Sequence, residues 1–96
     1  RKNRARAIEI NGTSCLVCGF QFNEVYGADF ARDFIEVHHV QSITEQNGIP
    51  VDPERDLIPL CSNCHSMAHR ERGRILSLIE LRGLLNRSRA GRGIKK

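Results

Sequence analysis

Eight side chains of the kinds that bind transition metals stand in four pairs along the chain. The cysteines form two Cys-x-x-Cys knuckles, Cys15 with Cys18 and Cys61 with Cys64. Each knuckle can turn two thiolates toward one ion, and two knuckles complete a closed tetrahedral zinc shell. This spacing predicts one structural Zn²⁺ that ties the two halves of the chain together. The alternative is two disulfides, which would need an oxidising compartment.

The other two pairs are histidines, His38 with His39 and His65 with His69. In a helix, His65 and His69 would share one face because they are four residues apart. His65 follows Cys64 directly and is rotated from it by about 100° around the helix. The thiolates can then face zinc while the two histidines face a second ion. The alternative is a binding module in which all eight side chains hold two structural zinc ions, although cross-braced modules interleave their ligand pairs at shorter intervals.

Short elements must position these pairs. In the first half, the pattern predicts a helix over residues 5–10, a helical turn before Gly27 and a strand over 34–40. A loop over 41–56 and a second strand over 57–60 follow. The chain then forms a helix from 62 to about 72, stopped by Gly73, and a last helix over about 75–87. Adjacent residues of a regular strand face opposite sides. His38 and His39 can therefore serve one site only if the strand ends or twists there.

Length and composition restrict the classes of protein to which this chain can belong. The chain has 96 residues and a mass of 10.9 kDa, which is the size of one domain with a marginal core. It has no apolar run near 18 residues, so no membrane span is predicted. It begins at Arg1 and shows no signal-peptide pattern, which predicts a cytoplasmic fragment or processed chain.

Charge is strongly segregated. Residues 1–6 carry four basic side chains, residues 7–66 carry two against nine acids for a net charge of −7, and residues 67–96 carry nine against two acids for a net charge of +7. Basic ends around an acidic middle predict a polyanion partner, DNA, held through its phosphates. Solvated helix ends or tails are the alternative. The candidate phosphate contacts are the basic side chains of residues 1–6, which include Arg4 and Arg6, together with Arg70, Arg72, Arg74 and Arg82.

Three stretches together resemble a known family. They are the first knuckle, the run Phe34-Ile-Glu-Val-His-His-Val40, and the run Asp56-Leu-Ile-Pro-Leu-Cys-Ser-Asn-Cys-His65 followed by His69. They resemble HNH endonuclease domains of the zinc-knuckle type, and are similar to those at the C-terminal end of McrA-like, modification-dependent restriction enzymes. The resemblance covers roughly residues 3–72.

The resemblance implies a fold and an organisation. The fold expected is a small α+β, ββα-metal fold, in which two antiparallel strands and a helix surround one catalytic metal, with a four-cysteine zinc knuckle and flanking helices. Residues 1–96 are then a single nuclease domain with its core at about 3–72, a C-terminal helix at about 75–87 and a basic tail at 88–96.

The resemblance also implies roles for individual residues. His39 matches the general base that activates water, and His38 and His65 match ligands of a catalytic divalent metal. His69 matches an extra ligand found in some members. Asp56 takes the place of the middle Asn, which orients the loop before the second strand; Asp can accept the same backbone hydrogen bonds but cannot donate one.

The function predicted is a metal-dependent DNA endonuclease that hydrolyses phosphodiester bonds. Imidazole, with an ordinary pKa near 6.5, suits base catalysis at neutral pH, and Mg²⁺, Mn²⁺, Ni²⁺ and Zn²⁺ are candidates for the catalytic metal. We expect a catalytic module of a restriction-type enzyme whose specificity resides in an upstream domain. The alternative is a zinc-binding DNA or protein interaction module without catalysis; the sequence leaves the oligomeric state open.

Overall fold

A two-stranded antiparallel sheet and six helices make up the part of the chain that the computed structural model describes, residues 2–40 and 52–95. In chain order they are α1 (Lys2–Asn11), α2 (Phe22–Tyr26), α3 (Ala28–Ala31), β1 (Glu36–His39), α4 (Pro53–Asp56), β2 (Leu57–Leu60), α5 (Ser62–Ala68) and α6 (Leu78–Lys95). The predicted α+β fold, two antiparallel strands followed by a helix, is confirmed.

The two strands place the central residues of the chain in a fixed register. Glu36 lies opposite Leu60, His38 opposite Ile58 and His39 opposite Leu57. Both strands have four residues, so the predicted strand over 34–40 is shorter at each end. Ile35, just before β1, has no exposed surface and anchors the strand in the core.

A short helix, α4, precedes β2 where a loop was predicted. Asp52 caps it by accepting a hydrogen bond from the Glu54 N–H at 3.0 Å, and Pro53 occupies its first turn. An acidic cap followed by proline is a helix-start signal, and the prediction of a loop over 41–56 is therefore wrong for residues 53–56. Residues 41–51 of that predicted loop lie outside the described residues.

Helix α5 is shorter than predicted. It begins after Cys61 and ends at Ala68, with His69 as its C-cap, instead of continuing to about 72. The chain turns back at this point because the Leu76 N–H donates to the Ala68 carbonyl at 2.9 Å, which brings buried Leu76 against buried Ala68. Gly73, at φ 76°, lies in the turn.

Helix α6 begins later and ends later than predicted. Ser77 and Glu80 form a capping box, in which the Glu80 N–H donates to Ser77 Oγ at 3.1 Å and the Ser77 N–H donates to Glu80 Oε1 at 2.9 Å. The helix therefore starts at Leu78 rather than at 75. It continues to Lys95, so the backbone of the predicted basic tail is helical as far as that residue.

The core lies around the end of β2. Cys15, Leu60 and Cys61 form one buried cluster, onto which Phe20, Phe22, Ile58 and Leu78 pack. Helix α1 is tied to the sheet by two bonds, from Arg4 to the Ile35 carbonyl at 2.9 Å and from Asn11 to the Leu57 carbonyl at 3.3 Å. Within residues 2–40 and 52–95, none of the helices has the length and apolarity needed to cross a bilayer.

Candidate metal centres

The four cysteines gather into one cluster. Their sulfur atoms all lie within 4.8 Å of one another, and each cysteine is a free thiol. A tetrahedral zinc ion with Zn–S bonds of about 2.3 Å holds its sulfurs about 3.8 Å apart. The Cys18 and Cys61 sulfurs, 3.7 Å apart, match that separation. The predicted four-cysteine cluster is confirmed, and its geometry fits a zinc ion.

Local turns aim the thiols inward. In the first knuckle the Gly19 N–H donates to the Cys15 carbonyl at 2.9 Å, with Gly19 at φ 82°, a backbone region that glycine adopts without steric cost. In the second, Cys61 is the N-cap of α5, and its Sγ accepts from the Cys64 N–H at 3.5 Å. Each pair of thiols is therefore set by its own backbone.

The electrostatics of the cluster favour a bound cation. Burial opposes ionisation of Cys15, but N–H groups of Cys18, Cys61 and Val17 outweigh it and lower the Cys15 pKa to about 7. Burial, reinforced by the neighbouring Cys15 thiol, raises the pKa of Cys64. One thiolate forms readily and opposes the next, so four thiolates require a cation among them.

Arg82 braces the first knuckle from outside. Its guanidinium donates two hydrogen bonds to the Leu16 carbonyl, from Nε at 3.0 Å and from an Nη atom at 2.6 Å. The Leu16 N–H in turn donates to the Pro59 carbonyl at 3.0 Å. Arg82 is also a predicted DNA-phosphate contact, and in the structure its guanidinium is bonded to the knuckle.

Three histidines form a second, separate cluster. The rings of His38, His65 and His69 stand 5.0–5.2 Å apart between centroids, and one nitrogen of each lies within 4.8 Å of the others. His38 comes from β1, His65 from α5, and His69 from the residue that caps α5. His69 meets His65 from the helix end and not from within the helix. Three imidazoles suit Zn²⁺, Ni²⁺ and other divalent transition metals.

His38 is the buried member of this triad, with 3% of its surface exposed. Burial, and then electrostatic repulsion from the neighbouring His65, His69 and His39, lower its pKa to about 4. It is therefore neutral at pH 7, as a metal ligand must be. Its buried Nδ1 has no hydrogen-bond partner among the described residues. A buried nitrogen without a protein partner fits a site that binds something the chain itself does not supply.

His39 stands outside the triad. It is exposed, is the last residue of β1, and is not a member of the triad. The sequence required the strand to end or twist if the two adjacent histidines were to share one site. The strand does end at His39, so this condition is met; His38 is buried within the triad, and His39 is exposed beside it.

Asp56 fixes the turn next to His39. It is 2% exposed, and its carboxylate accepts the Asp52 N–H at 2.9 Å. Its carbonyl accepts the N–H of Val40, the residue after His39, at 2.8 Å. The backbone on both sides of the sheet end is thus held through one buried residue.

Glu36 is a site residue that the sequence reasoning missed. Its Oε1 lies 2.7 Å from His65 Nδ1, and its Oε2 accepts a hydrogen bond from Ser62 Oγ at 2.7 Å. The bond from Ser62, and then the one from His65, lower the pKa of Glu36 below its usual range. Strand alternation could have found it, since Glu36 lies two residues before His38 and shares its side of β1.

The candidate phosphate-binding arginines separate into two groups. Arg4 donates to the Ile35 carbonyl, Arg6 pairs with Glu9 at 2.6 Å, and Arg74 pairs with Glu71 at 2.9 Å and with Glu80. Arg70 and Arg72 are exposed between α5 and α6, beside the triad's helix. Of the candidates, they are the two whose guanidinium groups are not engaged by the described residues.

Comparison with known protein families agrees with this geometry. Residues 15–71, more than half of the chain, match the model of the HNH endonuclease family. The two-stranded sheet, the following helix and the two clusters that could hold metal are consistent with a ββα-metal domain, and the chain belongs to the HNH endonuclease family. Searches of curated proteins and of solved structures gave no significant match.

Proposed function

We propose that this chain is the catalytic module of a metal-dependent DNA endonuclease that hydrolyses phosphodiester bonds. One observation carries the proposal. Three imidazoles converge on one point while a fourth, His39, stands exposed at the end of the strand that supplies His38. Membership of the HNH family supports the same conclusion.

The triad His38, His65 and His69 would hold one divalent ion, with Mg²⁺, Mn²⁺, Ni²⁺ and Zn²⁺ as the candidates. Three protein ligands leave open positions, as a catalytic site requires. When bound, the ion neutralises charge on the phosphate and stabilises the leaving oxygen.

His39 is the proposed general base. An imidazole accepts a proton from water at neutral pH, and the exposure of His39 gives water access to it. Asp56 is a positioning residue in this proposal, because its carbonyl holds the Val40 N–H and its carboxylate holds the turn before β2. In this proposal Asp56 replaces the middle Asn of the family motif, and it does so only by accepting hydrogen bonds from backbone N–H groups.

The four-cysteine cluster is proposed to hold structural zinc. Its four positions are filled by protein thiols, which leaves none for substrate. It joins the first knuckle to the start of α5, the helix that carries His65.

DNA would be held through its phosphates, with Arg70 and Arg72, which follow His69 in the chain and are exposed, as the candidate contacts. Such contacts position a duplex without reading its bases. The resemblance to McrA-like restriction enzymes supports a restriction-type nuclease in which an upstream domain selects the target.

A plasmid-cleavage assay tests the proposal. The zinc-loaded chain is incubated with supercoiled plasmid and with Mg²⁺, Mn²⁺, Ni²⁺ or added Zn²⁺, and we expect nicked or linear DNA with at least one metal. His39→Ala should reduce the rate by about 10²–10⁴ without changing zinc content or thermal midpoint. Asn63→Ala, an exposed change on α5, is the control and should cut normally.

Two results would contradict the proposal. If the wild-type chain with both centres filled leaves plasmid intact with every metal, it is a metal-binding interaction module. If His39→Ala cuts at the wild-type rate, the base is another group.

A further inference from the structure

A short chain of hydrogen bonds runs from the cysteine cluster to the histidine triad. Ser62, which lies between Cys61 and Cys64 in the second knuckle, donates to Glu36 Oε2, and Glu36 Oε1 meets His65 Nδ1, both at 2.7 Å. We propose that Glu36 is a positioning residue for the triad's metal: it fixes the tautomer and the orientation of His65, and Ser62 holds Glu36 in place for that task.

The tautomer follows from the chemistry of the two groups. An ionised carboxylate only accepts hydrogen bonds, so His65 Nδ1 must carry the hydrogen that it shares with Glu36. Nε2 of His65 is then the nitrogen with a lone pair. A carboxylate on the far nitrogen of a metal-binding imidazole also makes the ring a stronger ligand.

Ser62 limits the motion of Glu36. With one carboxylate oxygen bonded to Ser62 on α5 and the other to His65 one turn later, the carboxylate plane is held at both ends. The side chains of Glu36 and His65 are 32% and 27% exposed, so protein covers most of the contact. Glu36 is not one of the residues whose ligand atoms cluster in the triad, so its action is through His65.

This arrangement makes the second knuckle part of both metal centres. The backbone that presents Cys61 and Cys64 also presents Ser62, and through Glu36 it sets His65. The inference rests on the proposed function only in taking His65 as a ligand of the triad's metal.

Metal affinity is the first measurement. Ni²⁺ is titrated by calorimetry into the full chain with its cysteine site already filled with zinc, and zinc content is measured before and after. Glu36→Leu should weaken Ni²⁺ binding by about 10- to 100-fold. Glu36→Gln should weaken it less, because the amide oxygen still accepts from His65, and Ser62→Ala should also have an intermediate effect. Glu24→Gln, an exposed change on α2 with the same loss of charge, is the control and should bind normally.

The second measurement determines the tautomer of His65. A variant that is merely less stable would keep the wild-type tautomer, so this measurement separates positioning from stability. Nitrogen-15 NMR of the imidazoles, without metal in the triad, should show His65 with its hydrogen on Nδ1 in the wild type. In Glu36→Leu the Nε2–H form should become populated. Wild-type Ni²⁺ affinity in Glu36→Gln, Glu36→Leu and Ser62→Ala, or an unchanged tautomer in Glu36→Leu, would overturn the inference.

These measurements stand apart from plasmid cleavage. If the wild type binds Ni²⁺ and the Glu36 variants lose it while no DNA is cut, the positioning role holds and the nuclease proposal fails. If DNA is cut and the Glu36 variants bind metal normally, the reverse is true.

Discussion

The Sγ atoms of Cys18 and Cys61 lie 3.7 Å apart, although 43 residues separate the two cysteines along the chain. This contact closes a loop that contains β1, α4 and β2. It thereby holds β1, which carries His38, close to α5, which carries His65 and begins directly after Cys61. In small zinc domains metal binding is itself folding free energy, on the order of 10 kcal/mol or more in finger peptides. We therefore expect the fold to depend on the cysteine site.

Cys61→Ala should unfold the domain or make it aggregate. The variant removes one of four ligands, and it also removes the buried N-cap of α5. Circular dichroism, thermal melting and zinc content measure the effect, with Asn63→Ala from the same knuckle as the control. A thermal midpoint equal to that of the wild type would show that the cysteines do not share a structural ion.

His65→Ala and His39→Ala should differ in how they respond to metal. Loss of a ligand weakens metal binding, so the His65 variant should need at least about 10-fold more Mn²⁺ for half-maximal cleavage. Loss of a residue that only hydrogen-bonds a ligand already lowers metal affinity by about that factor. Added metal should partly rescue it. Loss of the base should leave the Mn²⁺ dependence unchanged and lower the maximal rate. Equal rescue of both variants would contradict the separate roles.

The stability of the chain without metal in its triad should rise with pH between about 4 and 6.5. Burial and the neighbouring histidines lower the pKa of His38 to about 4, from an ordinary value of 6.5. Between these values the unfolded chain binds more protons than the folded one, so the free energy of unfolding increases as pH increases. Above about pH 6.5 this contribution is constant.

His38→Asn isolates that contribution. Urea midpoints of wild type and variant are compared from about pH 5 to about pH 7.5, a window that spans the ordinary histidine pKa, with zinc content verified so that the effects of the cysteine site cancel. The midpoint difference between wild type and variant should shift in favour of the wild type as pH rises. A parallel pH dependence in the two proteins would show that His38 titrates normally.

DNA binding should be weak, blind to sequence and strongly dependent on salt. We expect dissociation constants of roughly 10⁻⁴–10⁻⁶ M at physiological salt, and a log–log slope of about −0.9 for each phosphate contacted. Replacing both Arg70 and Arg72 by Ala should reduce the slope by about two contacts. Arg74→Ala, which removes a cation already paired with Glu71 and Glu80, should change it less.

Two duplexes of the same length, one modified and one unmodified, test the absence of base reading at two salt concentrations. Equal affinities that fall together with salt are expected. A tight, salt-insensitive preference for the modified duplex would place the reader within these 96 residues.

The sequence predicted the features that depend on spacing along the chain. Cys-x-x-Cys pairs predicted the thiol cluster, and the four-residue spacing of His65 and His69 predicted that they would share a site. The end of α5 could not be predicted in the same way, because it is set by the long-range packing of Leu76 on Ala68. Strand alternation places Glu36 on the same side as His38, but no spacing in the sequence pairs it with Ser62, its partner 26 residues further along the chain.

The arginines are a second case in which contacts between distant parts of the chain could not be predicted from the sequence. Net charge predicted that Arg4, Arg74 and Arg82 were available to DNA. Each also has partners in the fold, which are a carbonyl at Ile35, two carboxylates, and a carbonyl at Leu16, and their contact with DNA stays a prediction. The number of basic residues in a stretch does not reveal which carbonyls and carboxylates the fold places next to each arginine.

The register of the small sheet has a consequence for how this chain can change. His38 and His39 are chemically identical, and only the pairing of β1 with β2 decides which one turns inward. A slip by one residue would put either His39 or Val37 opposite Ile58, in the place that His38 now holds. That slip is opposed by Ile35, because moving it would expose a side chain that is now fully covered. The packing of Ile35 therefore helps to decide which of two adjacent histidines joins the triad, and we expect a substitution at Ile35 to disturb the triad without changing any of its histidines.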